Sequence, residues 1–489
     1  MTTAEPASTT AQQDDKRRWW ILAAVTFSLF LIMLDNTVVT VALPALQTGV
    51  NASLAQLEWF IDAYSLMFAV LLLSGGKLAD YVGRRRIFAF GLVVFTLASL
   101  WCALSTSGGE LIAARGAQGA GAALMLPATI SIIAEAFSGV ERGLAFGIWA
   151  AVSGVALAIG PLVGGVIIDI AHWSWIFYIN IPIGIVGLLV TFAIVPESRD
   201  TTTDQHLDFI GLVTSGGAML GVAYGLIEAN KHGWGSAPII LCFVGSALLF
   251  TAFVLFELAE ERRPMFDIRL FRNRVFAGAN IAGFVAMCSL LGFIFFTSLY
   301  LQNVRGFSPI HTGWVFLIAT IPMSIGSPLA GKLADRIGAR LPIAVGLALF
   351  GLSLVVMSRV VGLHASMWSL YPWLFISGFG FGMVLPPSTT TVVAAVPNEK
   401  SGVASGLMQA LRQLGGALGI AIGGAIVNAQ TSGFGPLDFR YNGAYVHGLR
   451  WVLLFTGAIS FAGAGACLWL IRGRVLPAAQ PASGAVSPG

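Results

Sequence analysis

Four charged side chains fall where the chain is otherwise apolar. Asp35 lies in a run from Trp19 to Leu43, Asp62 in one from 56 to 77, Arg115 in 110 to 133 and Arg412 in 402 to 428. An ionisable group at the centre of a bilayer costs at least about 2.5–3.5 kcal/mol, and such groups mark proton sites, ion paths or substrate contacts. Asp35 is sixteen residues beyond Trp19, about 24 Å of helix rise, which places it past the midplane; Arg115, about 7 Å deep from the opposite boundary, reaches a similar level. Together they can form a pair whose acid exchanges a proton, or a purely structural ion pair. Asp62, at comparable depth, is a second proton or cation-binding candidate, the alternative being a solvated residue at the mouth. Glu58, one turn earlier on the same face, reads as interfacial. Arg412 sits about 15 Å into its run, near the midplane, with Gln409 and Gln413 beside it as candidate substrate-cavity residues. No acid in the C-terminal part of the chain lies at its depth, so its partner is in the other half, or is a substrate, a water or a carbonyl.

The elements that must position these residues follow from composition. Of 489 residues 56% are hydrophobic and 10% charged, against about 25% charged in a soluble domain. At about 20 apolar residues per helical crossing, the chain holds fourteen spans and little else, which excludes a multidomain soluble enzyme. The runs are unbroken, which excludes an outer-membrane barrel. Expected spans are 19–43, 56–77, 87–105, 110–133, 142–165, 174–195, 207–229, 237–258, 276–300, 309–332, 342–360, 367–394, 402–428 and 449–472. They group as six, two and six: a six-helix bundle over 19–196, two inserted helices over 207–258, and a second six-helix bundle over 276–472. Tails at 1–18 and 473–489 flank them. On this model 20 of the 27 Lys and Arg residues lie on the side of the N-terminus. Basic loops stay in the cytoplasm, so both tails are expected there, in a multi-pass protein of the cell membrane. The first run is too long for a cleaved signal core. The four cysteines lie in apolar runs as small hydrophobes, the six histidines lack metal-ligand spacing, and a net charge of +4 does not suggest nucleic acid.

The chain also repeats itself. Gly76-Lys-Leu-Ala-Asp80 and Gly83 recur, shifted by 255, as Gly331-Lys-Leu-Ala-Asp335 and Gly338. With a shift of 259, Gly119 and Gly121 recur as Gly378 and Gly380, and Gly160, Gly164 and Gly165 as Gly419, Gly423 and Gly424. Repeated halves are how secondary transporters place a site near the midplane and expose it to each side in turn. Gly154 to Gly165 sets small residues at helical spacing for close packing. Pro161 within it removes a backbone hydrogen bond and bends the helix; its counterpart is Ile420, so the bend belongs to one half alone.

These motifs carry a family resemblance over essentially the whole chain. GKLADYVGRRR, with Gly76, Asp80, Gly83 and Arg84, resembles the cytoplasmic loop motif of the major facilitator superfamily. LDNTVVTVALP from Leu34 to Pro44, Arg115 with Gln118, Gly119 and Gly121, and RQLGGALG from Arg412 to Gly419 resemble its fourteen-span drug:proton antiporter branch. Gly154, Gly160, Pro161, Gly164 and Gly165 are similar to the fifth-helix antiporter motif, which implies a role in closing the cavity. The resemblance implies an all-α integral membrane protein of the major facilitator fold. It also implies a proton-coupled exporter of small amphipathic or cationic drugs or antibiotics, functional as a monomer, with protons as coupling ion and no other cofactor, no metal and no enzymatic activity. A proton-coupled symporter, an exporter of an endogenous metabolite and a non-transporting scaffold are the alternatives.

Overall fold

The structure is a computed structural model describing residues 8–137, 139–199, 209–259, 268–396, 401–434 and 440–471. Every regular element in them is helical. The first bundle comprises α1 (Ser8–Gly49), α2 (Leu54–Val82), α3 (Arg84–Leu104), α4 (Gly108–Ala136), α5 (Gly139–Ile170), and the short α6 (Trp175–Tyr178) running into α7 (Asn180–Ile194). Then come α8 (Phe209–His232) and α9 (Ala237–Ala259). The second bundle holds α10 (Arg274–Leu299), ending in a π-helical turn at Tyr300–Val304, and α11 (Pro309–Ile337), α12 (Arg340–Val360), α13 (Met367–Gly382), α14 (Leu385–Ala394), α15 (Ser401–Thr431) and α16 (Tyr441–Leu470).

Among the described residues, thirteen crossings are long and apolar enough to span a membrane, with α6–α7 and α13–α14 each making one. The remaining expected span is α5, a 32-residue helix carrying Pro161. The helices differ from the expected runs in two instructive ways. α1 begins at Ser8 rather than Trp19, so part of the expected tail is helical. The run 367–394 is two helices, because the tandem Pro386 and Pro387 start a new one: proline suits a first turn and cannot continue a helix. Of the polar segments 196–206 and 473–489, residues 200–206 and 473–489 lie outside the described residues.

The repeat persists at the level of atoms. A Cβ on Gly121 of α4 would lie 2.6 Å from the Phe95 amide of α3, and one on Gly380 of α13 would lie 2.7 Å from the Phe350 amide of α12. Gly119 packs on the Tyr64 carbonyl of α2, and its repeat Gly378 on the Ala319 carbonyl of α11. Only glycine lets these backbones touch. The bundles then exchange partners: α5 packs on α11, and α15 on α2, forming two related seams.

One end of the molecule carries both GKLAD loops. In the first, Gly83 (φ 128°) turns the chain and Arg84 bridges Asp80 (3.0 Å) to Glu135 of α4 (2.7 Å), while Glu197 accepts from the Arg85 amide (3.2 Å). The motif thus clamps α2, α3, α4 and the segment after α7. In the second loop Gly338 (φ 87°) makes the same turn, but Gly331 faces open space where Gly76 lies against Pro127. Asp335 lies on α11; its side chain is outside the described residues. At the opposite, far end the bundles meet through Gln302, which donates to the Val41 carbonyl (2.8 Å), and Asn303, which donates to Gln47 (3.4 Å).

Candidate functional site

Asp35 and Arg115 do meet. Arg115 Nη1 donates to Asp35 Oδ2 at 2.6 Å, with the two side chains 1% and 0% exposed respectively. The other carboxylate oxygen accepts from Gln118 Nε2 (2.9 Å) and Asn180 Nδ2 (2.8 Å). Gln118 returns its carbonyl oxygen to Arg115 (2.6 Å), Arg115 Nε donates to the Phe60 carbonyl (2.9 Å), and the guanidinium lies 4.4 Å from the Tyr64 ring centroid. Ser99 Oγ accepts from Gln118 (2.8 Å) and Asn180 (3.3 Å). One acid thereby joins α1, α4 and α7, and through its donors α2 and α3. Charge-assisted bonds of this length are the strong ones, and a buried pair holds only when its remaining donors and acceptors are satisfied, as they are here.

The cage is complementary to a carboxylate: among the described residues three donors face Asp35 and no acceptor does. Adding a proton turns one oxygen into a donor pointed at other donors. Protonation must therefore break the cage and free Arg115, Gln118 and Asn180 to move relative to α1. Ser99 and Asn180 were not picked out from sequence. Asn180 sits at the start of α7, just before Pro182, where a polar residue reads as a helix-start residue.

Asp62 does not join this cluster. It and Glu58 are each 0% exposed on α2, and none of their four carboxylate oxygens has a hydrogen-bond partner. Glu58, expected at the interface, is instead packed against Gly424 of α15. Glu228 lies on α8, which docks against both α2 and α15 through Leu66, Ala223 and Ala417.

Arg412 finds its partners in its own bundle. It donates to Ser388 Oγ and Thr389 Oγ1 (2.9 Å each), to Gln409 Oε1 (3.2 Å) and to the Leu385 carbonyl (3.4 Å), all but Gln409 on α14. Its Nε lies against Gly283 of α10 without an acceptor. Gln413, buried beside it, makes no bond to the guanidinium.

The antiporter-motif residues face two ways. Gly160 and Gly164 pack on Thr37 and Val38 of α1, within a turn of Asp35, whereas a Cβ on Gly165 would meet the Pro309 carbonyl of α11 at 2.6 Å. A Cβ on Gly313 would in turn meet the Pro161 carbonyl at 2.8 Å. Gly154 lies earlier on the same helix. Gly165→Val should hold α5 off α11 and open the far end. In purified protein, a cysteine placed at Asn303 should then react with a bulky maleimide several-fold faster than in the parent; equal rates would show that this seam has room to spare.

Two repeated helical bundles, the first holding a buried acid–cation pair, are the architecture of a membrane transporter. The family model described as Major Facilitator Superfamily matches residues 25–420, and the chain belongs to that family. Among curated relatives it is 36% identical over 412 residues to multidrug resistance protein Stp of Mycobacterium tuberculosis (strain CDC 1551 / Oshkosh), covering 84% of this chain and 76% of that protein. It is 33% identical over 415 residues to the tetracenomycin C resistance and export protein of Streptomyces glaucescens, covering 85% and 77%. Identity to puromycin resistance protein pur8 of Streptomyces alboniger is 33% over 471 residues, covering 94% and 92%. The sequence resemblance to the drug-exporter branch is borne out by these relatives. In fold the chain is similar to a bacterial homologue of the human lysosomal transporter Spinster in an inward-facing, unoccupied form (TM-score 0.67, 18% identity, 93% of this chain and 97% of that one).

Proposed function

We propose that this chain is a proton-coupled antiporter that exports small amphipathic, including cationic, drug-like molecules from the cytoplasm by alternating access of its two bundles. The observation that carries the reading is the Asp35 cage: a buried carboxylate held by three donors from two neighbouring helices, which a proton must disrupt. A path leads from it to the seam. α1 carries Asp35, and Gly160 and Gly164 of α5 rest on the next turn of α1, while Pro161 and Gly165 of the same helix seat on α11. A shift of α1 on protonation therefore reaches the contact that closes the far end. Each charge moved inward down the membrane potential supplies about 2.3 kcal/mol per 100 mV, about a fifty-fold concentration ratio at about 1.4 kcal/mol per tenfold. Arg412, with Gln409 on one side and the α14 hydroxyls on the other, is the proposed polar contact for substrate in the second bundle, and Asp62 is the reserve proton site.

The experiment is accumulation of a fluorescent drug in expressing cells. Expression should lower the cell content, and a protonophore should restore it. Higher content on expression would instead support a proton symporter for uptake, and no change with any of a panel of drugs would favour a metabolite exporter or a scaffold. The proposed orientation has its own check in intact cells. A cysteine at Gly306 should label from outside, and one at Arg272 only after permeabilisation; the reverse pattern would invert the topology.

A further inference from the structure

The two seams between the bundles are copies, yet they are filled differently. At the α5–α11 seam, Gly165 and Gly313 bring backbone against backbone. At the α2–α15 seam, Gly165 has its repeat in Gly424, a shift of 259, but the repeat of Gly313, at a shift of 255, is Glu58. The Glu58 carboxylate lies directly on Gly424, where a Cβ would collide with all three of its terminal atoms. It is 0% exposed, and neither oxygen has a hydrogen-bond partner.

The charged and titratable groups around it lie on α2, α8, α15 and α16; on α4, which also packs on α2, Arg115 is engaged with Asp35 and the Phe60 carbonyl. Asp62 lies one turn along α2, Glu228 reaches it from α8, and Tyr445 approaches from α16. The Tyr445 hydroxyl donates to the Phe296 carbonyl (3.0 Å) and is not directed at Glu58. On α15, the only charged side chain is Arg412, three turns from Gly424 and engaged with α14. The cations nearest in sequence to Glu228, Lys231 and His232, lie 3.9 and 3.6 Å from Glu228 itself at the exposed end of α8. Among the described residues Glu58 thus faces two further acids and no cation.

A charged carboxylate buried without a partner is strongly unfavourable, whereas a neutral acid in the same place costs far less. We propose that Glu58 is a second proton-binding site, and that a proton held there is what lets α2 and α15 close the far end. Opening the seam exposes the carboxyl to the far-side solution, which can take the proton; closing it again requires the proton back. Because the proton enters and leaves on the same side, Glu58 gates the cycle without adding to its stoichiometry. In the closed conformation the two acids have opposite surroundings: Asp35 sits among three donors and Glu58 has none. An acidic far side then favours the far-end-closed form, the one that admits substrate from the other side. This goes beyond the export reading and is tested without substrate or gradient, so either can fail while the other stands.

The test is a distance distribution between spin labels at Thr48 of α1 and Asn303 beyond α10, which flank the far end, in purified protein in nanodiscs. Glu58→Gln retains the shape of the neutral acid, and Glu58→Gly copies the glycine of the other seam and guards against a misfolded first variant. At mildly alkaline pH both should enrich the short-distance population relative to the parent, while at acidic pH they should match it. The pH-dependent component that the substitutions remove can reach about tenfold in the closed-to-open ratio per pH unit, the limit for one linked proton. Asp62→Asn should leave that component in place. An alkaline distribution that neither Glu58 variant shifts toward the closed form would overturn the proposal.

Discussion

Replacing Asp35 with Asn should abolish uphill, proton-driven efflux while leaving energy-independent counterflow of a labelled substrate close to wild type. Asn keeps the size of the side chain and an oxygen for Arg115, but it has no proton to exchange. Breaking a buried ion pair by removing one partner costs about 3–5 kcal/mol when the remaining charge is left bare. Here Arg115 retains the Phe60 carbonyl, the Gln118 carbonyl oxygen and the Tyr64 ring. On the antiport reading, the neutral state that Asn imitates is also one the transport cycle visits, so the variant should fold. Asp62→Asn should reduce efflux less, because Asp62 lies outside the cage. Intact uphill efflux in Asp35→Asn would move the coupling site to Asp62.

Gly378→Val should remove folded protein from the membrane almost entirely. The added side chain would have to occupy the space of the Ala319 backbone carbonyl, at the crossing of α13 and α11. Overpacking a core commonly costs about 1–3 kcal/mol when side chains can yield; a backbone carbonyl fixed in a helix cannot. The helices must separate, and with them the packing that the second bundle shares with α12. Gly378→Ala should fall between, and Gly331→Ala, at an open position of the same bundle, should be silent. Yield of monodisperse protein and the thermal midpoint after extraction report the outcome. A Gly378→Val protein with parental yield and midpoint would show that the crossing is looser than the structure has it.

The chain's architecture was legible in its sequence because a bilayer imposes length and polarity on every crossing, and because the repeat fixes which helices correspond. Depth along a helix also follows from counting residues, which is why Asp35 and Arg115 could be paired. Counting gives level but not which neighbour a side chain faces. Glu58 lies four residues into α2 and counts as interfacial; its burial comes from α15, more than 350 residues later, and from α8. Asn180 and Ser99 are short polar residues in apolar surroundings, a type that more often bonds its own helix, as Ser99 does to the Phe95 carbonyl (2.8 Å). Residue counting gives Arg412 a level along its helix, but its partners on α14 depend on the helix break before Leu385, which a hydropathy profile smooths over.

Coupling itself is most directly tested by the sign of a proton movement. Everted membrane vesicles carrying the protein expose its proposed cytoplasmic face, and a lumenal dye reports pH after respiration has acidified the interior. Adding substrate outside should draw protons out and alkalinise the lumen, at a rate that saturates with substrate and disappears in Asp35→Asn. Acidification of the lumen on substrate addition, or alkalinisation that persists undiminished in Asp35→Asn, would contradict an antiporter coupled through this carboxylate.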